Sequence, residues 1–253
     1  MATLFSVGVV FLTGSFFFWG EEQLIPKNNS IIILRISFTF IVMPFAALLS
    51  SKIEEIPKPG LKAQLKMAPR HRLKDEKLVL NVPANAKKAA VMMLLYPDAA
   101  QKLHFCLIQR PNYAGKHSGQ ISFPGGKREE GDNDYWETAL RETMEEVGVN
   151  PHEINRLTAL SSTYIPPSNF MVYPFMAYAK KRPNFIPEEG EVDHVIEVPL
   201  SLLLDESSMK EGEIEASYMK EITVPMFVFG DYKVWGATAM VLAEARELIL
   251  LVK

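Results

Sequence analysis

The run from Phe123 to Val149, FPGGKREEGDNDYWETALRETMEEVGV, constrains the fold more than any other part of the chain. Asp134, or Asn133 beside it, is a good N-cap, and Trp136, Ala139, Leu140, Thr143, Met144 and Val147 recur at three- and four-residue steps up to Gly148, a natural C-cap. The spacing predicts one amphipathic helix. Glu142, Glu145 and Glu146 stand on it at i, i+3 and i+4, so their carboxylates converge on one patch. Like charges so placed repel by about 0.2 to 0.5 kcal/mol per pair, and a cation among them relieves this. Hard oxygen ligands suit Mg²⁺ or Mn²⁺. The bland alternative is a solvated acidic face. Against it, Arg141 precedes Glu142 directly, and the loop Phe123-Pro124-Gly125-Gly126 allows backbone carbonyls close to a metal, because glycine lacks a Cβ.

Around this helix the chain reads as strands. Ala89–Leu95 and Leu103–Gln109 bracket the turn at Pro97–Ala100 as a hairpin, and Leu157–Tyr164 pairs with Met171–Ala179 across Ile165-Pro166-Pro167-Ser168-Asn169. Further strands are expected at Asp193–Val198, Glu213–Met219, Thr223–Phe229 and Tyr232–Trp235, before a closing helix from Gly236 to about Leu251. Helices alternating with a mixed set of strands point to an α/β sandwich. With 253 residues and a net charge of −3, the chain can bury a good core in one main domain, and nothing in its charge points to nucleic acid. Its single cysteine, Cys106, lies in an apolar run and reads as a buried strand residue in a reducing compartment.

Composition shifts near residue 50, which divides the chain into an apolar extension (1–50), an N-terminal helix and linker (51–86) and the main domain (87–253). The extension carries only Glu21, Glu22, Lys27 and Arg35 as charges, with apolar runs at Leu4–Trp19 and Ile31–Leu49. A signal peptide would have a basic residue before the first run, and there is none. A membrane hairpin needs about 20 apolar residues per span; the first run is short, and the second contains Arg35 and Pro44. A start at Met43, with a soluble helix beginning at Ser51–Glu55, is the third reading, and a real soluble extension the fourth. These readings place the protein in the cytoplasm, or on a membrane if residues 1–50 anchor it. The basic stretch Met67–Arg72 is a solvated linker or a phosphate contact just before the domain.

The segment Arg141–Val149, RETMEEVGV, resembles the second half of the Nudix box, whose pattern is G, five residues, E, seven residues, then REUxEExGU with U aliphatic. The first half fits after a one-residue insertion, with Gly126 and Asp132 in the roles of its glycine and glutamate. This longer box with an aspartate is similar to the coenzyme A pyrophosphatase branch, as is the upstream run Leu107-Ile108-Gln109-Arg110-Pro111, Gly119, Phe123-Pro124-Gly125-Gly126. Pro111 and Gly115 stand where that branch's signature has a serine and its second arginine. Val234–Ala239 and Tyr164–Ser168 resemble two further segments of the branch, so the likeness covers about residues 53–253.

The resemblance implies the family's α/β/α sandwich with a mixed sheet, and divalent-metal-dependent hydrolysis of coenzyme A or its acyl derivatives to 3′,5′-ADP and 4′-phosphopantetheine. Glu142 and Glu146 are the expected metal ligands, with the Gly125 carbonyl as a third. Glu145 shares the metal or accepts a proton from water, and Arg141 pairs with a carboxylate, Asp132 being the candidate. Arg110, Lys116 and His117, with Gly126, are the candidates for binding substrate phosphate. Tyr164, Phe170 and Tyr173 line the ligand's apolar part or belong to the core. The alternatives are a Nudix diphosphatase for ADP-ribose, NADH or another dinucleotide, and a non-catalytic ligand sensor. Intact Glu142, Glu145 and Glu146 argue against the sensor. A small nucleotide is thus the expected partner, with a homodimer as the assembly left open.

Overall fold

The computed structural model describes residues 52–53, 55–69, 82–111, 119–216 and 219–252, together with short strands inside the first 43 residues. Met1–Met43 and Pro44–Lys253 are separate compact units. In the first, β1 (Val9–Leu12) pairs antiparallel with β2 (Ser15–Phe18), and β3 (Gln23–Lys27) with β4 (Ser30–Leu34). No described helix is long and apolar enough to cross a membrane. The helix expected from Ser51 does not continue: Ile53, Glu55 and Ile56 lie in turns and bends, and α1 is Gly60–Gln64. Pro57 and Pro59 explain this, because the residue before a proline is pushed out of the helical region.

The second unit is built on β5 (Lys87–Pro97), which is paired along both edges. On one edge β11 (Phe170–Ala179) runs parallel to it, from Phe170 opposite Lys87 to Tyr178 opposite Leu95. β11 in turn carries β9 (Ile154–Ala159) and β10 (Thr163–Ile165), both antiparallel. The single strand expected over Leu157–Tyr164 is therefore two. Pro174, which has no N–H to give, stands at the break, its carbonyl accepting from Leu160 at 2.9 Å.

The other edge of β5 is split. β6 (Leu103–Gln109) pairs with it only from Leu95 opposite Phe105 to Pro97 opposite Leu103. Beyond that the two strands diverge, and the run after residue 120 fills the opening: β7 (Ile121–Ser122) pairs with β6, and β8 (Gly125–Lys127) with β5. The Phe123–Gly126 loop is thereby threaded into the sheet. β12 (His194–Pro199), antiparallel to the far edge of β6, completes a mixed sheet.

Both faces of β5 are covered, and its side chains alternate between two clusters. Ala90, Met92, Leu94 and Tyr96 pack with Ala139 and Val147 of α2 (Tyr135–Val147). Met93 and Leu95 pack on the other side with Met240, Leu242 and Leu248 of α4 (Gly236–Val252) and with Phe227 and Val234. Helix on sheet on helix is the α/β sandwich expected from the alternation of elements, in the α/β/α form that the resemblance implied. The α4 side also carries a three-stranded antiparallel sheet, β13 (Met209–Ala216), β14 (Met219–Phe229) and β15 (Tyr232–Trp235), after the short helix α3 (Leu200–Leu204). The strand expected over Glu213–Met219 is instead the end of β13 and the start of β14.

The catalytic-looking helix is capped as its residues require. Asp134, in extended conformation, accepts the Glu137 N–H at 2.8 Å, and Gly148 closes the helix with φ +72° and its N–H on the Met144 carbonyl. Ala139, Thr143, Glu146 and Val147 form the buried stripe at i, i+4, i+7 and i+8. Met144, expected on that stripe, turns to solvent and is 52% exposed.

Candidate active site

The split in the sheet and the start of the box meet at Glu146. Gly125 has φ +147°, and a Cβ there would strike the backbone of Ala90 and Val91, so only glycine can thread this position. Its N–H donates to Glu146 Oε2 at 2.7 Å. Glu146 is 3% exposed, on the face of α2 turned to the sheet. Burial pushes its carboxyl up to about 7, opposed by the Gly125 N–H and Arg110 and reinforced by the charges of Glu142 and Glu191. The second oxygen, Oε1, lies 3.5 Å from Arg110 Nη2.

Gly126 is the next constraint. A Cβ on it would run into the Glu142 carboxylate, so the backbone and that side chain are in direct contact. Glu142 is largely buried, which raises its pKa against the opposing pull of Arg141. Glu145, one turn from Arg141, has a side chain 54% exposed. The three glutamates therefore run from buried to solvated around the helix.

Arg141 ties helix to loop. Its Nε and Nη2 donate to Oδ1 and Oδ2 of Asp132, both at 3.0 Å, a bidentate pair. Nη2 also reaches the Lys127 carbonyl at 3.0 Å, and Nη1 reaches Glu142 Oε1 at 3.0 Å and Glu145 Oε2 at 2.8 Å. Asp132 takes further hydrogen bonds from the Glu129 N–H and the Thr138 hydroxyl, each at 2.9 Å. The Arg141 bonds hold its carboxyl well below the usual carboxylate range.

Of the residues singled out in the sequence, Arg110, Gly125, Gly126, Asp132, Arg141, Glu142, Glu145 and Glu146 are brought together. Gly125 meets this site through its N–H. Lys116 and His117 lie outside the described residues, as does the stretch 70–72. Of the three aromatics, Phe170 lines a cavity, whereas Tyr164 is buried with its hydroxyl on Asn169 at 2.9 Å, and Tyr173 stacks on Tyr135 with ring centroids 3.7 Å apart. Aromatic spacing on a strand does not tell the two faces apart when both are covered.

That cavity, of about 400 Å³, opens beside Arg110, Gly125, Gly126 and Lys127. Phe170, Trp235 and Val241 also line it. Sequence reasoning missed Glu191, whose charge acts on both Glu142 and Glu146 from the segment after β11. It also missed what holds that segment: Ile186 and Glu188 donate their N–H groups to the Val147 and Glu146 carbonyls at 2.9 Å, satisfying the end of α2. Neither has a local pattern that would reveal it.

Among the described residues, no three Asp, Glu, His or Cys side chains are gathered as a metal cluster. The donors nonetheless fit a hard divalent ion in chemistry and charge: carboxylate oxygens of Glu142 and Glu146, one of them deeply buried, in a site whose glycine leaves no room for a Cβ. Arg110 pairs with Glu146 and Arg141 with Glu142.

The NUDIX domain pattern matches residues 86–218, more than half of the chain. The chain belongs to the Nudix family. Its Nudix relatives include "Nudix hydrolase 15, mitochondrial" of Arabidopsis thaliana, 33% identical over 168 residues, which cover 64% of this chain and 58% of that one. "Peroxisomal coenzyme A diphosphatase ndx-8" of Caenorhabditis elegans is 31% identical over 60% of this chain and 64% of its own length. "Mitochondrial coenzyme A diphosphatase NUDT8" of Homo sapiens is 30% identical over 66% and 71% respectively. The chain thus spans less than two thirds of the first two of these proteins.

Proposed function

We propose that the chain is a hydrolase that cleaves the diphosphate of coenzyme A or an acyl-coenzyme A, giving 3′,5′-ADP and the (acyl-)4′-phosphopantetheine, with Mg²⁺ or Mn²⁺ as cofactor. The observation that carries the reading is the contact of Glu146 with the Gly125 N–H and of Glu142 with Gly126, two glycines that also line the apolar-walled cavity. Two relatives named as coenzyme A diphosphatases support it. When bound, the divalent ion neutralises phosphate charge and lowers the pKa of water.

Glu142 and Glu146 are the residues that would hold the ion, because burial leaves their charge needing a cation. Glu145, the solvated carboxylate, is the proton acceptor for an attacking water whose oxygen bonds to phosphorus as the bridging P–O bond breaks. Arg141, fixed by Asp132, positions Glu142 and Glu145. Arg110 and Lys127 meet the phosphates, and the wall of Phe170 and Trp235 receives an uncharged arm. Gly115, standing where the coenzyme A branch has its second arginine, favours a second reading, a diphosphatase for ADP-ribose or NADH.

The deciding experiment is a panel of coenzyme A, acetyl-coenzyme A, ADP-ribose and NADH given to purified protein beginning at Met43, with Mg²⁺ or Mn²⁺ and products resolved by mass. Release of 3′,5′-ADP is expected; preference for ADP-ribose replaces the first reading by the second. Sizing the same preparation decides between a monomer and a homodimer. We place the protein in the cytoplasm, with attachment to a membrane through residues 1–50 as the alternative. Fractionating cells that express protein begun at Met1 and at Met43 separates the two, and an organelle signal would replace both.

A further inference from the structure

We infer that Arg110 has two stations: one as the counter-ion of Glu146, where it would compete with a divalent cation for that carboxylate, and one on the substrate diphosphate, to which it would move when such a cation takes its place. The inference rests on the diphosphatase reading above.

The two oxygens of Glu146 differ. Oε2 is taken by the Gly125 N–H at 2.7 Å, whereas Oε1 faces Arg110 Nη2 at 3.5 Å. The second distance is an ion pair but is too long for a good hydrogen bond. A carboxylate 3% exposed needs a cation when ionised, so the guanidinium stands on the one oxygen that the backbone leaves over.

The two arginines of the site are held very differently. Arg141 makes five hydrogen bonds, to Asp132, Glu142, Glu145 and the Lys127 carbonyl, and is clamped. Among the described residues, the Arg110 side chain has only the long pair with Glu146, is 30% exposed, and lies on the wall of the cavity beside Gly125, Gly126 and Lys127. A short swing of that side chain therefore exchanges a carboxylate for an incoming phosphate, which a guanidinium binds through paired N–H groups.

A divalent ion held by the Glu146 carboxylate and a guanidinium paired with that carboxylate would repel each other, so the two would compete. Because the Arg110 side chain is itself partly exposed, its effect on the ion would be screened, and removing its unit charge would change affinity by roughly tenfold. Metal binding and release of Arg110 toward the substrate are then one coupled step.

The test is titration of the full chain with Mn²⁺ in the absence of nucleotide, followed by electron paramagnetic resonance of the free ion. Arg110→Gln is expected to bind Mn²⁺ at least about fivefold more tightly than the wild type. Arg110→Lys, which keeps the charge, is expected to stay within about twofold of the wild type, and circular dichroism verifies that both variants are folded. Equal or weaker binding by folded Arg110→Gln overturns the counter-ion role. Binding of Mn²⁺ by none of the three proteins overturns the metal-dependent reading itself. At saturating Mn²⁺, Arg110→Gln should raise KM for the cleaved diphosphate by about tenfold with kcat changed much less; an unchanged KM overturns the second station.

Discussion

Arg141 and Asp132 are joined by two parallel hydrogen bonds of 3.0 Å, which lock the start of the box to the middle of α2. The pair has one nearly buried member, since Asp132 is 6% exposed, so Asp132→Ala should cost about 2 to 3 kcal/mol in chemical denaturation. It should also lower turnover by more than about tenfold, because the freed guanidinium no longer fixes Glu142 and Glu145. Asp132 ionises below its ordinary 3.8 in the folded state, so around pH 4 the unfolded chain binds more protons. Its stabilisation is present above that pH and is lost as pH falls through the folded value. The stability gap between wild type and Asp132→Asn should therefore narrow from pH 5 to pH 3; a gap constant with pH would show that the pair is not ionic.

Gly125 and Gly126 are adjacent yet should respond differently to alanine. At Gly125 the new methyl meets backbone on β5 with φ at +147°, so neither neighbour nor conformation can give, and loss of more than about 3 kcal/mol or failure to fold is expected. At Gly126 the methyl meets a side chain, the Glu142 carboxylate. Gly126→Ala should fold with stability lowered by about 1 kcal/mol while losing most turnover, as Glu142 is displaced. Full activity in Gly126→Ala would remove Glu142 from the catalytic set.

Glu146→Gln tests directly the carboxylate proposed to hold the metal. Glutamine keeps the shape and can still accept the Gly125 N–H through its amide oxygen, so the fold should survive. Divalent-dependent diphosphatase activity should fall by at least about a hundredfold, in line with loss of a charged ligand. Turnover at the wild-type rate would overturn the assignment of Glu146.

Local patterns carried α2 entirely, because its caps at Asp134 and Gly148 and its three- and four-residue steps are properties of neighbouring residues. The Arg141–Asp132 pair was legible only through the resemblance, whose longer box puts Asp132 in the glutamate's role and makes it the candidate partner of Arg141. The split between β5 and β6 was not, because β7 is two residues long and its pairing depends on strands more than ten positions away. Met144 misled for another reason: it is apolar at the right step for a wide stripe, but the stripe that packs on the sheet is narrow. Glu191 and the donors from Ile186 and Glu188 reach the site through chain reversal, which no periodicity encodes.

Cys106 should be chemically silent. It is fully buried, and burial pushes its thiol up to about 12, so the reactive thiolate is scarce at neutral pH. Native protein at pH 8 should resist a thiol-specific disulfide reagent for hours and react with one equivalent on addition of denaturant. Fast labelling of folded protein would show that the β5–β6–β12 face opens.

Glu244 links α1, which lies before the Nudix match, to α4, which lies after it. Fully buried on α4, its carboxylate accepts from the Gly60 N–H at 3.2 Å, Gln64 Nε2 at 2.8 Å, the Ser161 N–H at 3.1 Å and the Ser161 hydroxyl at 2.8 Å. All four donors are neutral, so the cluster works as a clasp; loss of the acceptor would orphan the Gly60 N–H and the Ser161 donors, while Gln64 Nε2 keeps its bond to the Ser161 carbonyl at 2.8 Å. Glu244→Ala should cost about 3 kcal/mol, several unsatisfied donors being left in the interior. Protein beginning at Met43 retains the clasp. Protein beginning at Met67 loses Gly60 and Gln64 together with the buried Ile53 and Ala63, and should be less stable by a comparable amount. In that shorter background Glu244→Ala should cost roughly half as much, because only the Ser161 donors remain. A cost equal in both backgrounds would mean that α1 is not held through Glu244.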